Sequence, residues 1–230
     1  MINLIIDSEN KNNSFTLVDY VYDLIKTNIL NWNLKPGLRI SEKDISDHLK
    51  ISKTPVRESF IRLSKEKLID ILPQRGSFVS KIDLNDVEES YFIRRSLELS
   101  VLELAVTRLK EDNFIRLKEL VRRQRESIKN ENYAHFLSLD EEFHKEIFLG
   151  SQREMTWKVM SDAGIQYKRV RMLTLIDINK YDIIVEEHSE LVSSLEKKDI
   201  ESARSVINEH LGKLNFEEEL LKNKYPDYFL

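Results

Sequence analysis

Hydrophobic residues recur at alternating steps of three and four along most of the chain, which is the spacing of one face of an α-helix. Beyond residue 84 this pattern runs with almost no strand-like alternation, and glycine and proline are rare there. Its stripes include Leu84, Val87, Tyr91, Val101 and Ala105, then Phe136, Phe143 and Ile147, then Ile184, Leu191 and Leu195, then Val206, Leu211 and Leu214. The pattern predicts six or so antiparallel helices around one core, an all-α bundle over residues 82–230.

The first eighty residues combine helical and strand-like patterns. An apolar stripe from Phe15 to Trp32 predicts one amphipathic helix, and Ser41 is a good N-cap for a short second helix. Thr54-Pro55 predicts the start of a further short helix, because proline is tolerated only in a first turn. Two strand-like segments around a turn follow, Leu68–Leu72 and Ser77–Ser80. This order is typical of a winged helix-turn-helix domain, so the predicted fold class is mainly α.

Such a domain, over residues 1–81, would place its second short helix in the major groove of DNA. The predicted DNA contacts are Ser52, Lys53, Thr54 and Arg57 on that helix, Arg75 and Gly76 at the wing tip, and Lys43 for phosphate. The charge distribution supports this division of the chain. Residues 1–81 hold 13 Lys+Arg and 10 Asp+Glu, whereas the remainder holds 23 and 30, so only the first domain is basic.

The composition limits the classes of function. The chain has 230 residues and no cysteine, which excludes disulfides, thiol nucleophiles and cysteine-ligated zinc. No apolar run approaches the ~20 residues needed to cross a bilayer. The short apolar stretch at residues 1–6 lacks the basic flank of a signal peptide. We therefore expect a cytoplasmic protein without a membrane partner.

Four side chains capable of binding metal interrupt the apolar stripes of the predicted bundle. Asp140 and His144 lie one helical turn apart, and His188 and His210 fall on two further stripes. A single inward histidine is more often hydrogen-bonded structure than a ligand, because unpaired buried polar groups are costly. One aspartate and three neutral imidazoles from three helices would instead suit a divalent transition metal of the zinc, nickel or manganese type. The spacing alone leaves both interpretations open.

The N-terminal motifs resemble those of a known family. Ser52–Glu58 and Arg75–Val79 are similar, in order and in spacing, to the signature of GntR-type bacterial transcription regulators. The resemblance implies binding to double-stranded operator DNA. Lys50 and Lys67 stand where that family usually has glycine, and Lys53 stands where it usually has arginine. Lysine at position 53 keeps the charge but loses bidentate hydrogen bonding.

The C-terminal motifs extend this resemblance. Asp140–His144, Glu187-His188 and His210-Leu211 are similar to the metal-site motifs of the FCD domain, the effector-binding bundle of the FadR-type branch of GntR regulators. The similarity covers most of residues 84–220. It implies that Asp140, His144, His188 and His210 bind a metal ion whose open positions accept a small effector.

Arg94 and Glu98 fall in step with the inward stripe of the first predicted bundle helix. One interpretation is a salt bridge between residues one turn apart. The other is that Arg94 binds an anionic effector bidentately; the FCD resemblance includes an arginine near the start of the domain. Both interpretations stay open, and a small carboxylate is the expected effector.

Together these features predict a metabolite-responsive transcription regulator acting as a homodimer on a two-fold-related operator. The resemblance implies repression. The first rival is a metal-dependent hydrolase in which the ion activates water, although no general base is evident beside the ligands and the N-terminal third would have no role. The second rival is a DNA-binding regulator with a purely structural metal and no effector. The predicted protein is not an enzyme.

Overall fold

The computed structural model describes most of the chain, namely residues 4–5, 16–178, 181–212 and 220–230. Phe15 and Leu214, which the hydrophobic pattern places on helical stripes, lie outside these residues. Within the described residues, no helix is both long enough and apolar enough to span a membrane.

Contacts divide the chain into two compact units. One comprises Met1–Leu84 together with Lys222–Leu230, and the other comprises Asn85–Leu221. The sequence patterns put the whole of residues 82–230 into one helical domain, whereas the structure groups the last segment with the first unit. The reason is a set of contacts around Ile82, described below, that the hydrophobic periodicity does not encode.

The first unit contains a winged helix-turn-helix domain, as predicted. Its elements are α1 Leu17–Leu30, β1 Arg39–Ile40, α2 Glu42–Leu49, α3 Lys53–Lys65, β2 Ile69–Leu72 and β3 Gly76–Val79. The strands form an antiparallel sheet in the order β1-β3-β2. Ile45, Val56 and Phe60 have no exposed surface and fill the core between the helices. The predicted segment Leu68–Leu72 begins one residue before β2, and the predicted segment Ser77–Ser80 lies one residue later than β3 at both ends.

Local chemistry explains where the two short helices begin and end. The Ser41 side chain caps α2 by accepting a hydrogen bond of 3.0 Å from the Asp44 backbone N–H. The helix stops at Lys50, whose backbone is left-handed with φ 55°. Pro55 lies in the first turn of α3, where a missing N–H costs no helical hydrogen bond. After this turn, the first residues of α3, Lys53 and Thr54, are exposed.

The C-terminal segment adds a further layer to the first unit. Ile82 and Phe229 form a parallel β-bridge. The Ile82 N–H donates to the Tyr228 carbonyl at 2.9 Å, and the Leu230 N–H donates to the Ile82 carbonyl at 3.0 Å. Phe229 is only 3% exposed. The Tyr228 ring lies edge-on to the Trp32 ring with centroids 5.3 Å apart, so the segment is anchored by both backbone and side chains.

Among the described residues of the second unit, the only regular secondary structure is helical. Its helices are α4 Leu84–Arg108, which begins at the last residue of the first unit, α5 Glu111–Lys129, α6 Tyr133–Gly150, α7 Glu154–Ala163, α8 Ile165–Ile178, α9 Tyr181–Glu196 and α10 Ile200–Gly212. Helix α5 packs on α6 and α9, and α9 packs on α10. Phe136, Leu139 and Phe143 on α6 are fully buried, which places α6 at the centre of the core. The predicted mainly helical fold is confirmed.

Candidate functional site

The structure brings together the four side chains that interrupt the apolar stripes. Asp140 and His144 lie one turn apart on α6, His188 lies on α9 and His210 lies on α10. Each residue offers one oxygen or nitrogen atom to a common point, and these four atoms all lie within 4.8 Å of one another. Asp140 and His144 are completely buried and His188 is 1% exposed, so water has little access to the cluster.

Several atoms that face each other in this cluster have no hydrogen-bond partner. His144 Nε2 is 3.9 Å from Asp140 Oδ2, and His188 Nε2 is 3.6 Å from Asp140 Oδ1. Among the described residues, none hydrogen-bonds to either of these Nε2 atoms or to Asp140 Oδ1, while Asp140 Oδ2 has an ion-pair contact with Arg171. Buried polar atoms are rarely left unsatisfied. A metal cation would accept several of these lone pairs at once, so the donor set fits a divalent metal.

The opposite nitrogen of each imidazole contacts an oxygen. His188 Nδ1 is hydrogen-bonded to the Gln124 side-chain oxygen at 2.8 Å, and His210 Nδ1 is hydrogen-bonded to Glu187 Oε2 at 3.0 Å. His144 Nδ1 lies 2.7 Å from Glu98 Oε2, close enough for an ion-pair contact but without the alignment of a hydrogen bond. Each of these oxygens can accept a hydrogen bond, which favours the imidazole tautomer that carries its proton on Nδ1. The three Nε2 lone pairs are then directed at the cluster, as ligating histidines require.

Burial sets the protonation of the cluster. It lowers the pKa of His188 well below the ordinary value, with neighbouring His210 adding to the effect. Burial also lowers the pKa of His210, although the bond to Glu187 opposes it. Burial by itself would raise the pKa of Asp140, but the positive charge of Arg171 holds it below its usual range. These shifts favour neutral His188 and His210 and an ionised Asp140, which are the forms that bind metal.

Arg94 forms the predicted salt bridge with Glu98. Its Nε lies 2.6 Å from Glu98 Oε1, and both side chains are buried. Burial would raise the pKa of Glu98, but His144 and Arg94 bring it down to about 2. The same carboxylate therefore contacts both the guanidinium and the imidazole of His144. Arg94 Nη2 has no acceptor among the described residues, so the salt bridge leaves one donor nitrogen available to a ligand.

Helix α8 supplies two cations that the sequence interpretation missed. Arg171 Nη2 lies 2.8 Å from Asp140 Oδ2, and Lys168 Nζ lies 2.8 Å from Glu141 Oε2. The sequence did contain a sign of Arg171, because this arginine lies between the apolar residues Val170 and Met172 on a buried helix. Without the fold, however, its partner on α6 could not be assigned.

Most of the predicted DNA contacts are exposed in the first unit. Ser52, which caps α3, and Lys53, Thr54 and Arg57, which lie within it, are exposed. Lys43 on α2 is exposed as well, and Arg75 is exposed in the turn between β2 and β3.

At the wing, Gly76 adopts φ 103°, a conformation that side-chain-bearing residues avoid. A Cβ atom at this position would lie 3.2 Å from Nε of Arg39, so the glycine lets that exposed guanidinium approach the wing backbone. Arg39 is a basic wing residue that the sequence interpretation did not identify. Its strand β1 is only two residues long, which explains the omission.

Comparisons with known proteins agree with this architecture. Residues 17–79 match the bacterial regulatory proteins of the gntR family, and residues 89–213 match the FCD domain. The chain is 27% identical over 209 residues to the HTH-type transcriptional repressor RspR of Escherichia coli strain K12, covering 91% of this chain and 92% of RspR. It is 30% identical over 210 residues to an HTH-type transcriptional regulator in an unstable DNA locus of Streptomyces ambofaciens, covering 91% of this chain and 88% of that protein.

A solved structure shares the fold. Escherichia coli McbR/YncC aligns with a TM-score of 0.76 at 22% sequence identity, covering 92% of this chain and 100% of that chain. The curated relatives above are transcription regulators rather than enzymes. The chain belongs to the GntR family, as a DNA-binding transcription regulator that carries an FCD effector-binding domain.

Proposed function

We propose that this regulator is a metabolite-responsive repressor whose FCD domain binds one divalent metal ion and a small carboxylate effector. The observation that carries the proposal is the convergence of Asp140, His144, His188 and His210 on one point, with unsatisfied lone pairs directed at it. Three imidazole nitrogens and one carboxylate oxygen suit zinc, nickel or manganese. Four protein ligands leave a six-coordinate ion two further positions, which the effector's carboxylate would occupy.

Arg94 supports the effector half of the proposal. Its guanidinium is buried beside Glu98, which contacts the proposed ligand His144, and its Nη2 has no acceptor within the part of the chain that the structure describes. A metal ion and a guanidinium in a low-dielectric interior together offset the cost of burying an anion.

For DNA binding, we propose that α3 enters the major groove. Its contacts would come from Ser52, Lys53, Thr54 and Arg57. Arg75 and Gly76 at the wing tip would contact the DNA phosphate backbone. One small winged domain offers few contacts, so a homodimer on a two-fold-related operator supplies the rest. The repressor role rests on the relative RspR, which is named a repressor. Effector binding changes the affinity for operator DNA only if the effector binds two arrangements of the dimer with different affinities.

Metal removal tests the first half of the proposal. Chelation should lower the melting temperature, because an ion that binds only the folded state stabilises that state. The stabilisation is about 4 kcal/mol when the free ion concentration is a thousand times Kd. His144→Ala should remove the metal and the chelator effect together. His135→Ala is the matched control, because that histidine is exposed on the same helix and should leave both unchanged. Elemental analysis that finds no transition metal after supplementation would refute the site.

The rival regulator with a structural metal and no effector is favoured by one observation, the 2.6 Å salt bridge that already occupies part of Arg94. Calorimetry with carboxylates separates the two functions. The proposal requires binding that Arg94→Ala weakens while the metal content stays unchanged. It also requires the affinity for the effector to fall when operator DNA is present. The operator used is the sequence that the protein itself selects from random duplexes. Equal affinity with and without DNA would leave a ligand site but no switch.

A further inference from the structure

The metal-facing side of α6 is bordered by an ion-pair network that extends beyond the four candidate ligands. Glu141, the residue after Asp140, lies 2.8 Å from Lys168 Nζ, 3.5 Å from Arg94 Nη1 and 3.7 Å from Arg171 Nη1. Three cations from α4 and α8 thus surround a single carboxylate. Glu141 cannot satisfy all of their N–H donors, because a carboxylate offers only about four lone-pair sites.

Two buried guanidinium nitrogens are left without an acceptor. Arg94 Nη2 and Arg171 Nη1 have no hydrogen-bond partner among the described residues, although the two side chains are only 6% and 9% exposed. Thr174 Oγ1, one turn after Arg171 on α8, is unsatisfied as well. Donors of a charged group that are buried without acceptors cost more than neutral ones. A ligand that brings its own oxygen atoms would satisfy them.

Formal charge points to the kind of ligand. The network contains three cations and three anions, namely Arg94, Lys168, Arg171, Glu98, Asp140 and Glu141. Its charges therefore cancel before a metal binds. A divalent ion adds two positive charges, of which Glu187 beside His210 offsets no more than one. The loaded site carries excess positive charge in a buried environment, which favours a ligand with more than one negative charge.

We propose, as a refinement that rests on the proposed metal and effector site, that the effector is a dicarboxylate. One carboxylate coordinates the open positions of the metal. The second is bound by the guanidiniums of Arg94 and Arg171, with the Thr174 hydroxyl as an additional donor. Arg171 is then a ligand-binding residue that sets specificity, in addition to its contact with Asp140.

Calorimetry of the metal-loaded protein tests this with matched pairs of four- to six-carbon acids, each dicarboxylate against the monocarboxylate of the same length. Succinate against butyrate and malate against 2-hydroxybutyrate are two such pairs. We expect at least one dicarboxylate to bind more than tenfold more tightly than its partner. Arg171→Gln should remove that preference, and Arg171→Lys should restore part of it.

Metal content is measured for every variant, since Arg171 contacts a candidate ligand. Arg125→Gln is the matched control, because its guanidinium is exposed on α5 and pairs with Glu186. If the protein keeps its metal but binds both members of every pair equally tightly, the proposal of a dicarboxylate effector is wrong. The same holds if the metal-loaded protein binds no dicarboxylate. Neither result contradicts the metal site. A preference that survives Arg171→Gln overturns the role of Arg171. Loss of metal from the wild type would instead contradict the proposed site itself.

Discussion

Lys50 and Lys67 each adopt a left-handed backbone conformation, with φ 55° and 56°. Both are positions where the GntR resemblance leads one to expect glycine. A side-chain-bearing residue in this region brings Cβ close to the following carbonyl, which costs roughly 1–2 kcal/mol. The turn of the helix-turn-helix and the turn that precedes β2 therefore form here against a local backbone preference, supported by the packing of α2 and α3.

Lys50→Gly and Lys67→Gly should each raise the free energy of unfolding by about 0.5–1 kcal/mol, because relief of strain exceeds the added entropy of the unfolded chain. Urea denaturation measures the change. Glu58→Gly in the middle of α3 is the opposing control and should lower stability by about 1 kcal/mol. A destabilised Lys50→Gly would mean that the lysine side chain contributes contacts that outweigh its backbone.

Glu98 contacts both the proposed metal ligand His144 and the guanidinium of Arg94. Glu98→Gln should weaken metal affinity by about 10–100-fold, because a partner that orients a ligating histidine and raises its basicity is lost. Competition with a chelator of known affinity gives the value. Glu103→Gln tests the same change at an exposed site on α4, where it should have no effect. Unchanged affinity in Glu98→Gln would make its contact with His144 purely structural.

At the scale of elements, the order of helices could be predicted because their signals are local. Ser41 caps α2 through its own side chain, and the four polar residues of the bundle stand out because each interrupts an apolar stripe. Strand β1 has no such signal, since it exists only through its pairing of Arg39 with Phe78. The contact of Arg171 with Asp140 likewise joins two helices that only packing brings together.

Helix α3 carries the prediction for DNA recognition. Arg57→Ala should weaken binding to the selected operator by about 1–3 kcal/mol, which is the usual contribution of one good base contact. Lys43→Ala should weaken binding to all duplexes alike and reduce the salt dependence, as the loss of a phosphate contact does. Fluorescence anisotropy at several salt concentrations distinguishes the two. Normal operator binding by Arg57→Ala at physiological salt would contradict the assignment of α3 as the recognition helix.

At the scale of the whole molecule, the first unit is assembled from both ends of the chain. Phe229→Ala should detach the C-terminal segment and lower the stability of this unit by up to about 3–5 kcal/mol, the usual cost of truncating a buried phenylalanine. Trp32 fluorescence reports the change, because its ring contacts Tyr228. The second tryptophan, Trp157, is replaced by phenylalanine in both proteins for this measurement.

Leu230→Ala provides the control for that experiment. This side chain is 73% exposed, and its residue is bound to Ile82 through the backbone, which the substitution leaves in place. We expect wild-type fluorescence and stability from Leu230→Ala. A Phe229→Ala protein with wild-type unfolding would show that the segment adds nothing to the first unit.

The return of residues 222–230 to Ile82 also fixes an order of events during synthesis on the ribosome. Domains usually fold as they emerge, N-terminal first, at about 5–20 residues added per second. Here about 140 residues separate the two parts of the first unit, so at those rates the helix-turn-helix waits roughly 7 to 30 s for its final layer. A nascent chain that is released before residue 222 therefore carries a DNA-binding unit whose Trp32 ring and Ile82 backbone lack these partners.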